Sequence, residues 1–107
     1  MGLFDLFHRP DIDQGVQECL NAGATLLDVR TPQEYREGHI PGSRNIPLQK
    51  LETSAGLPDA GDTPLYVYCQ SGARSRQAAA LLREMGYARV KDLGGIAAYS
   101  GKVERGA

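Results

Sequence analysis

Residues 65–75 read Leu-Tyr-Val-Tyr-Cys-Gln-Ser-Gly-Ala-Arg-Ser. Leu65 to Tyr68 is a β-prone run without polar alternation, which suits a strand buried on both faces of a parallel sheet. Residues 75–85 bring Ala78, Leu81, Leu82 and Met85 to one helical face, and Gly86 is a fit residue to stop that helix. Cys69 therefore stands where a strand ends and a tight loop leads into a helix N-terminus. The first N–H groups of a helix have no partner within it and favour an anion. A thiolate is such an anion and is the reactive form of cysteine. The stretch thus predicts both a strand-loop-helix unit and the place of its chemistry.

Working outward, strands alternate with helices. Residues 11–21 form an amphipathic helix with Ile12, Val16, Cys19 and Leu20 on one face, and Asp11 with Gln14 resembles a capping box. Ala22-Gly23 stops it, and residues 24–29 make a short apolar strand. Thr31, Pro32 and Glu34 supply an N-cap, an N1 proline and the closing carboxylate of a second box. Gly38 ends this helix, and residues 39–42 form a turn. Asn45-Ile46 reads as a very short strand and residues 48–51 as a helical turn. Residues 54–64 are a loop rich in Gly, Pro and Asp. Residues 89–93 form a last strand, and Gly94-Gly95 leads into a short helix near Tyr99. This order predicts an α/β domain with a mainly parallel sheet and right-handed crossovers. In such sheets ligands bind beyond the carboxyl ends of the strands, where Cys69 lies.

The chain has 107 residues, 41% apolar and 23% charged, enough for a single domain with its own core. We expect residues 1–10 to be an N-terminal segment and residues 11–107 to be that domain. A formal net charge of −1 offers no basic excess for nucleic acid or an anionic membrane surface. No run approaches the ~20 apolar residues of a membrane span. The Leu3-Phe4-Leu6-Phe7 cluster is too short and too acidic at Asp5 for a signal peptide, and is expected to pack on the domain edge. Two cysteines, Cys19 and Cys69, make neither a disulfide framework nor a zinc site, which points to a reducing, cytoplasmic setting. Cys19 reads as a core side chain.

In the loop, Gly72 stands where a residue without Cβ is needed. Successive amides there can form an anion nest. Arg74 is expected to supply fixed positive charge, and Ser75 to cap the helix and turn its hydroxyl inward. Together they should draw the Cys69 pKa well below that of a free thiol. For such chemistry the donors must aim at the sulfur, and the sulfur must be reachable from water. Four residues separate Cys69 from Arg74. Phosphatase loops have one more, so this cup is too narrow for a phosphoryl group and suits one extra sulfur, as in a persulfide. Neither His8 nor His39 adjoins Cys69. His39 is expected to hydrogen-bond backbone, and Asp28, Arg30 and Glu34 to form paired charges supporting the loops. No metal or cofactor is called for.

Several stretches in this order carry a resemblance. They are Leu27-Asp28-Val29-Arg30, Glu34-Tyr35, Gly38-His39-Ile40-Pro41-Gly42-Ser43, Asn45-Ile46-Pro47, Cys69 to Ser75, Gly86-Tyr87 and Leu93-Gly94-Gly95. With them the chain resembles a single-domain rhodanese. The resemblance implies a five-stranded, mainly parallel sheet with helices on both faces. It implies a sulfurtransferase in which Cys69 takes sulfane sulfur from a donor such as thiosulfate. Gln70, Ser71, Gly72, Ala73, Arg74 and Ser75 would hold the substrate, and Asp28, Arg30 and Glu34 would support them. The acceptor would be cyanide or a thiol, extending to a thioredoxin-like protein. Many rhodaneses carry a basic residue just after the cysteine, where this chain has Gln70. The glycine pair is often followed by Trp, where this chain has Tyr99. A partner-binding module without turnover and a cysteine-dependent phosphatase or arsenate reductase are the competing functions.

Overall fold

Apolar runs become strands and amphipathic runs become helices in a computed structural model that describes residues 11–53, 56–59 and 62–107. In chain order these are α1 (Ile12–Asn21), β1 (Thr25–Asp28), α2 (Pro32–Glu37) and β2 (Arg44–Asn45). A 3-10 turn (Leu48–Thr53), β3 (Leu65–Cys69), α3 (Ala73–Glu84), β4 (Val90–Gly95) and a second 3-10 turn (Ile96–Ala98) follow. The sheet runs β2-β1-β3-β4 with every pair parallel.

Alternation along the strands sorts the core into two halves. Leu27, Val29, Leu65, Val67 and Cys69 pack with Ala78, Ala79 and Leu82 of α3. Leu26, Tyr66 and Tyr68 point to the other face and pack with Ile12, Val16 and Cys19 of α1. Every residue of β3 is buried, as its unbroken apolar run required. The helices therefore cover both faces, as expected. The described residues hold four strands rather than the five that the resemblance implied. The Leu3-Phe4-Leu6-Phe7 cluster and the N-terminal segment lie outside the described residues.

The chain leaves β1 toward β2 on one side and leaves β3 toward β4 on the other. The carboxyl ends of β1 and β3 are thus the switch point where α/β sheets bind ligands. Asp28 ends β1 and Cys69 ends β3. On the outer side of β3 the ladder slips, with Val67 opposite Asp92 but Tyr68 opposite Gly94. Leu93 is the extra residue of this bulge, and Asp92 Oδ1 accepts from Gly94 N at 2.9 Å within it.

Candidate active site

The helix after Cys69 begins at Ala73, two residues earlier than the spacing predicted, with Gly72 as its N-cap at φ 108°. That left-handed conformation is one a side chain rarely adopts, and it turns the loop back over the strand end. Gly72 has no side chain to cap the helix. The Cys69 sulfur takes that place. Gly72 N donates to Cys69 Sγ at 3.0 Å, and the amides of Ser75 and Ser71 also act on the thiol. Burial pushes the Cys69 thiol up, but the Ser75 amide and hydroxyl, with the Gly72 and Ser71 amides, outweigh it and bring the pKa below its ordinary value. Of these groups, the Gly72 N–H is aimed directly at the sulfur.

Ser75 does not cap the helix as expected. It lies inside the first turn because Gly72 starts the helix earlier. Its hydroxyl bonds the carbonyls of Gly72 at 3.1 Å and Gly94 at 3.4 Å, beside the sulfur. The sulfur is also less open than the chemistry called for. Cys69 is 1% exposed, while Gln70, Ser71 and Ala73 around it are exposed.

Arg74 does not present a free charge to the cup. Its Nη1 and Nη2 donate to Glu34 Oε1 and Oε2 at 2.7 and 3.0 Å. Glu34 also closes the capping box of α2, accepting from Thr31 N at 2.9 Å while Thr31 Oγ1 accepts from Glu34 N at 3.1 Å. Chiefly through Arg74, the Glu34 carboxyl is held down to about 2.

Asp28 and Arg30 form a second pair, fully buried. Arg30 Nη2 donates to Asp28 Oδ2 at 2.7 Å and Arg30 Nε to Oδ1 at 3.0 Å. The same guanidinium donates to Gly38 O at 2.7 Å and to Gln70 Oε1 at 3.2 Å. One arginine therefore ties the end of β1, the end of α2 and the first loop residue after Cys69. His39 Nδ1 bonds Tyr35 O at 2.8 Å and its ring stacks on Tyr35 at 3.7 Å.

Two supports were not read from the sequence. Gly95 passes directly beneath the loop. A Cβ there would run into the Gln70 carbonyl oxygen and lie 2.6 Å from Ser71 Cα. The Gly-Gly pair was its only signal. Tyr68 is fully buried, and its hydroxyl accepts from Ile40 N at 3.0 Å and pairs with Ser43 Oγ at 3.1 Å. It fixes the turn after α2 to β3. Among the described residues no cluster of His, Cys, Asp and Glu could hold a metal, and no helix is long and apolar enough to cross a membrane.

Residues 13–102 match the Rhodanese-like domain family. The thiosulfate sulfurtransferase PspE of Escherichia coli strain K12 is 42% identical over 72 residues, which is 65% of this chain and 68% of that one. A solved rhodanese with anions from E. coli is 35% identical with a TM-score of 0.68, covering 78% of this chain and 99% of its own. The human single domain sulfurtransferase TSTD1 is 31% identical with a TM-score of 0.68, covering 77% of this chain and 85% of its own. With a cysteine at the switch point of a parallel sheet, capping the next helix with its sulfur, the chain belongs to the rhodanese family of sulfurtransferases.

Proposed function

We propose that Cys69 carries sulfane sulfur between a donor and a thiophilic acceptor as a persulfide. The observation behind this reading is the Gly72 N–H that donates to the Cys69 sulfur at 3.0 Å, in a loop where the Ser71 and Ser75 groups also lower the thiol's pKa. The Cys69 thiolate attacks the outer sulfur of thiosulfate, forming a Cys69 S–S bond as the donor's S–S bond breaks and sulfite leaves with the electron pair. The outer sulfur then carries the negative charge, and the same donors hold it. In the second half, cyanide or a thiolate attacks that sulfur and Cys69 leaves as a thiolate. No general base is required, because both sulfurs leave as stable anions. The role of donor is supported by relatives named thiosulfate sulfurtransferase, and acceptors of this chemistry include a protein thiol such as that of a thioredoxin-like partner.

Gln70 to Ser75 form the cup, and Asp28, Arg30 and Glu34 hold it from behind. Residues 11–107 act as one domain, with residues 1–10 as a separate segment. Both cysteines are free thiols, which suits a cytoplasmic setting.

Because Cys69 is 1% exposed, the surroundings of its sulfur must open to admit a donor. That closed state favours one competitor, a partner-binding module without turnover, and a single measurement separates the two. After incubation with thiosulfate or an organic persulfide, the intact mass should rise by one sulfur atom. The gain should be absent in Cys69→Ala and reversed by cyanide. No gain from either donor would exclude transfer through Cys69.

A further inference from the structure

Beside the loop lies a cleft of ≈ 380 Å³ lined by Arg30, Glu34, Glu37, Gln70, Ile96 and Val103. Val103 belongs to a C-terminal strap beyond the residues that match the family. Glu104 bridges His39 with two backbone hydrogen bonds of 2.8 Å, and Gly106 N donates to Arg36 O at 2.8 Å. Val103 is thereby fixed against Gly38 although it is 46% exposed.

The arginines at and beside the cleft are already paired. Arg30 is bound to Asp28 and Arg74 to Glu34, while among the described residues Glu37 accepts only from the Gln33 amide, at 3.2 Å. These residues therefore hold one more carboxylate than guanidinium, and Gln70 adds no cation. The amide ring at Cys69 stabilises charge on a single sulfur. A dianionic donor meets no spare side-chain cation among the lining residues, whereas an apolar carbon skeleton meets Ile96 and Val103.

We infer that the cleft takes the carbon skeleton of a small organic persulfide, and that Val103 on the strap sets the preference for such donors over thiosulfate. The inference rests on the proposed persulfide at Cys69 and names its substrate class. The Cys69 thiolate attacks the outer sulfur of R–S–S–H. A Cys69 S–S bond forms as the donor's own S–S bond breaks, R–S⁻ leaves with that electron pair, and the proton travels with the transferred sulfur before passing to water.

The probe is the persulfide of N-acetylcysteine methyl ester, whose charge resides only on its outer sulfur, compared with thiosulfate. Wild type should give the higher kcat/KM with the organic persulfide. Val103→Ser should lower the ratio of the two kcat/KM values roughly 3- to 10-fold, mainly through KM, as removal of an apolar contact requires. Glu37→Gln should shift the ratio toward thiosulfate. A wild-type preference for thiosulfate, or a ratio that Val103→Ser leaves in place, overturns the inference while sulfur loading of Cys69 stands. Failure of wild type to gain sulfur mass from either donor instead overturns the persulfide itself.

Discussion

A cysteine whose sulfur serves as a helix cap has its acidity and its position set by the same bonds. Ser75→Ala removes one donor that lowers the Cys69 pKa. Its rate of alkylation against pH should therefore shift to higher pH than in wild type, and an unshifted profile would remove Ser75 from the charge-stabilising set. Gly72→Ala places a Cβ at φ 108°, which should cost about 1–2 kcal/mol in urea unfolding. The need for glycine at position 72 was legible from the turn it had to make. The inward-facing Ser75 hydroxyl was legible, but its place in the helix was not. Sequence propensity assigns capping to a side chain at the N-cap, and here the cap is a sulfur three residues before that glycine.

At the scale of elements, Glu34 joins α2 to α3 through Arg74, a contact 40 residues apart in sequence. Its folded pKa of about 2 lies below the ordinary value of 4.5. A depressed carboxyl pKa contributes stability that is fully present above the unfolded value and is lost as pH falls toward the folded one. Wild type should therefore lose stability from about pH 4.5 down to about pH 2, and Glu34→Gln should lose less over that window. Equal acid limbs in chemical unfolding would show that the pair contributes nothing there. The Thr31 capping box was legible because its partners are local. The Glu34–Arg74 clasp was not, because it depends on β1 and β3 lying side by side. Gly95 belongs at this scale as well. Gly95→Ala should lift residues 70–71 off β4, at about 1–3 kcal/mol, and impair sulfur loading while the helices keep their circular dichroism.

Across the whole molecule, the sheet separates two thiols of opposite character. Cys19 lies in the α1 half of the core, fully buried, and burial with the nearby Glu18 carboxylate pushes it up to about 11. Cys69 lies in the α3 half with a lowered pKa. Near neutral pH, iodoacetamide should label the folded protein at Cys69 alone, and at both sites in denaturant. A small reagent should outpace a bulky one at Cys69, since that residue is buried. The division of the core was legible from the apolar faces of α1 and α3. Strand order was not, since pattern alone does not say that β1 sits between β2 and β3. Nor did pattern reveal the strap, because residues 103–106 carry no apolar period and are held by backbone bonds to His39 and Arg36.

The double duty of Glu34 limits how this chemistry could be transplanted. A designer who copies only the heptapeptide from Cys69 to Ser75 into a foreign scaffold would leave its guanidinium without the carboxylate that fixes it. The smallest portable unit is therefore discontinuous: two neighbouring parallel strands, the short helix carrying that acid, and the glycine floor supplied by the adjoining strand.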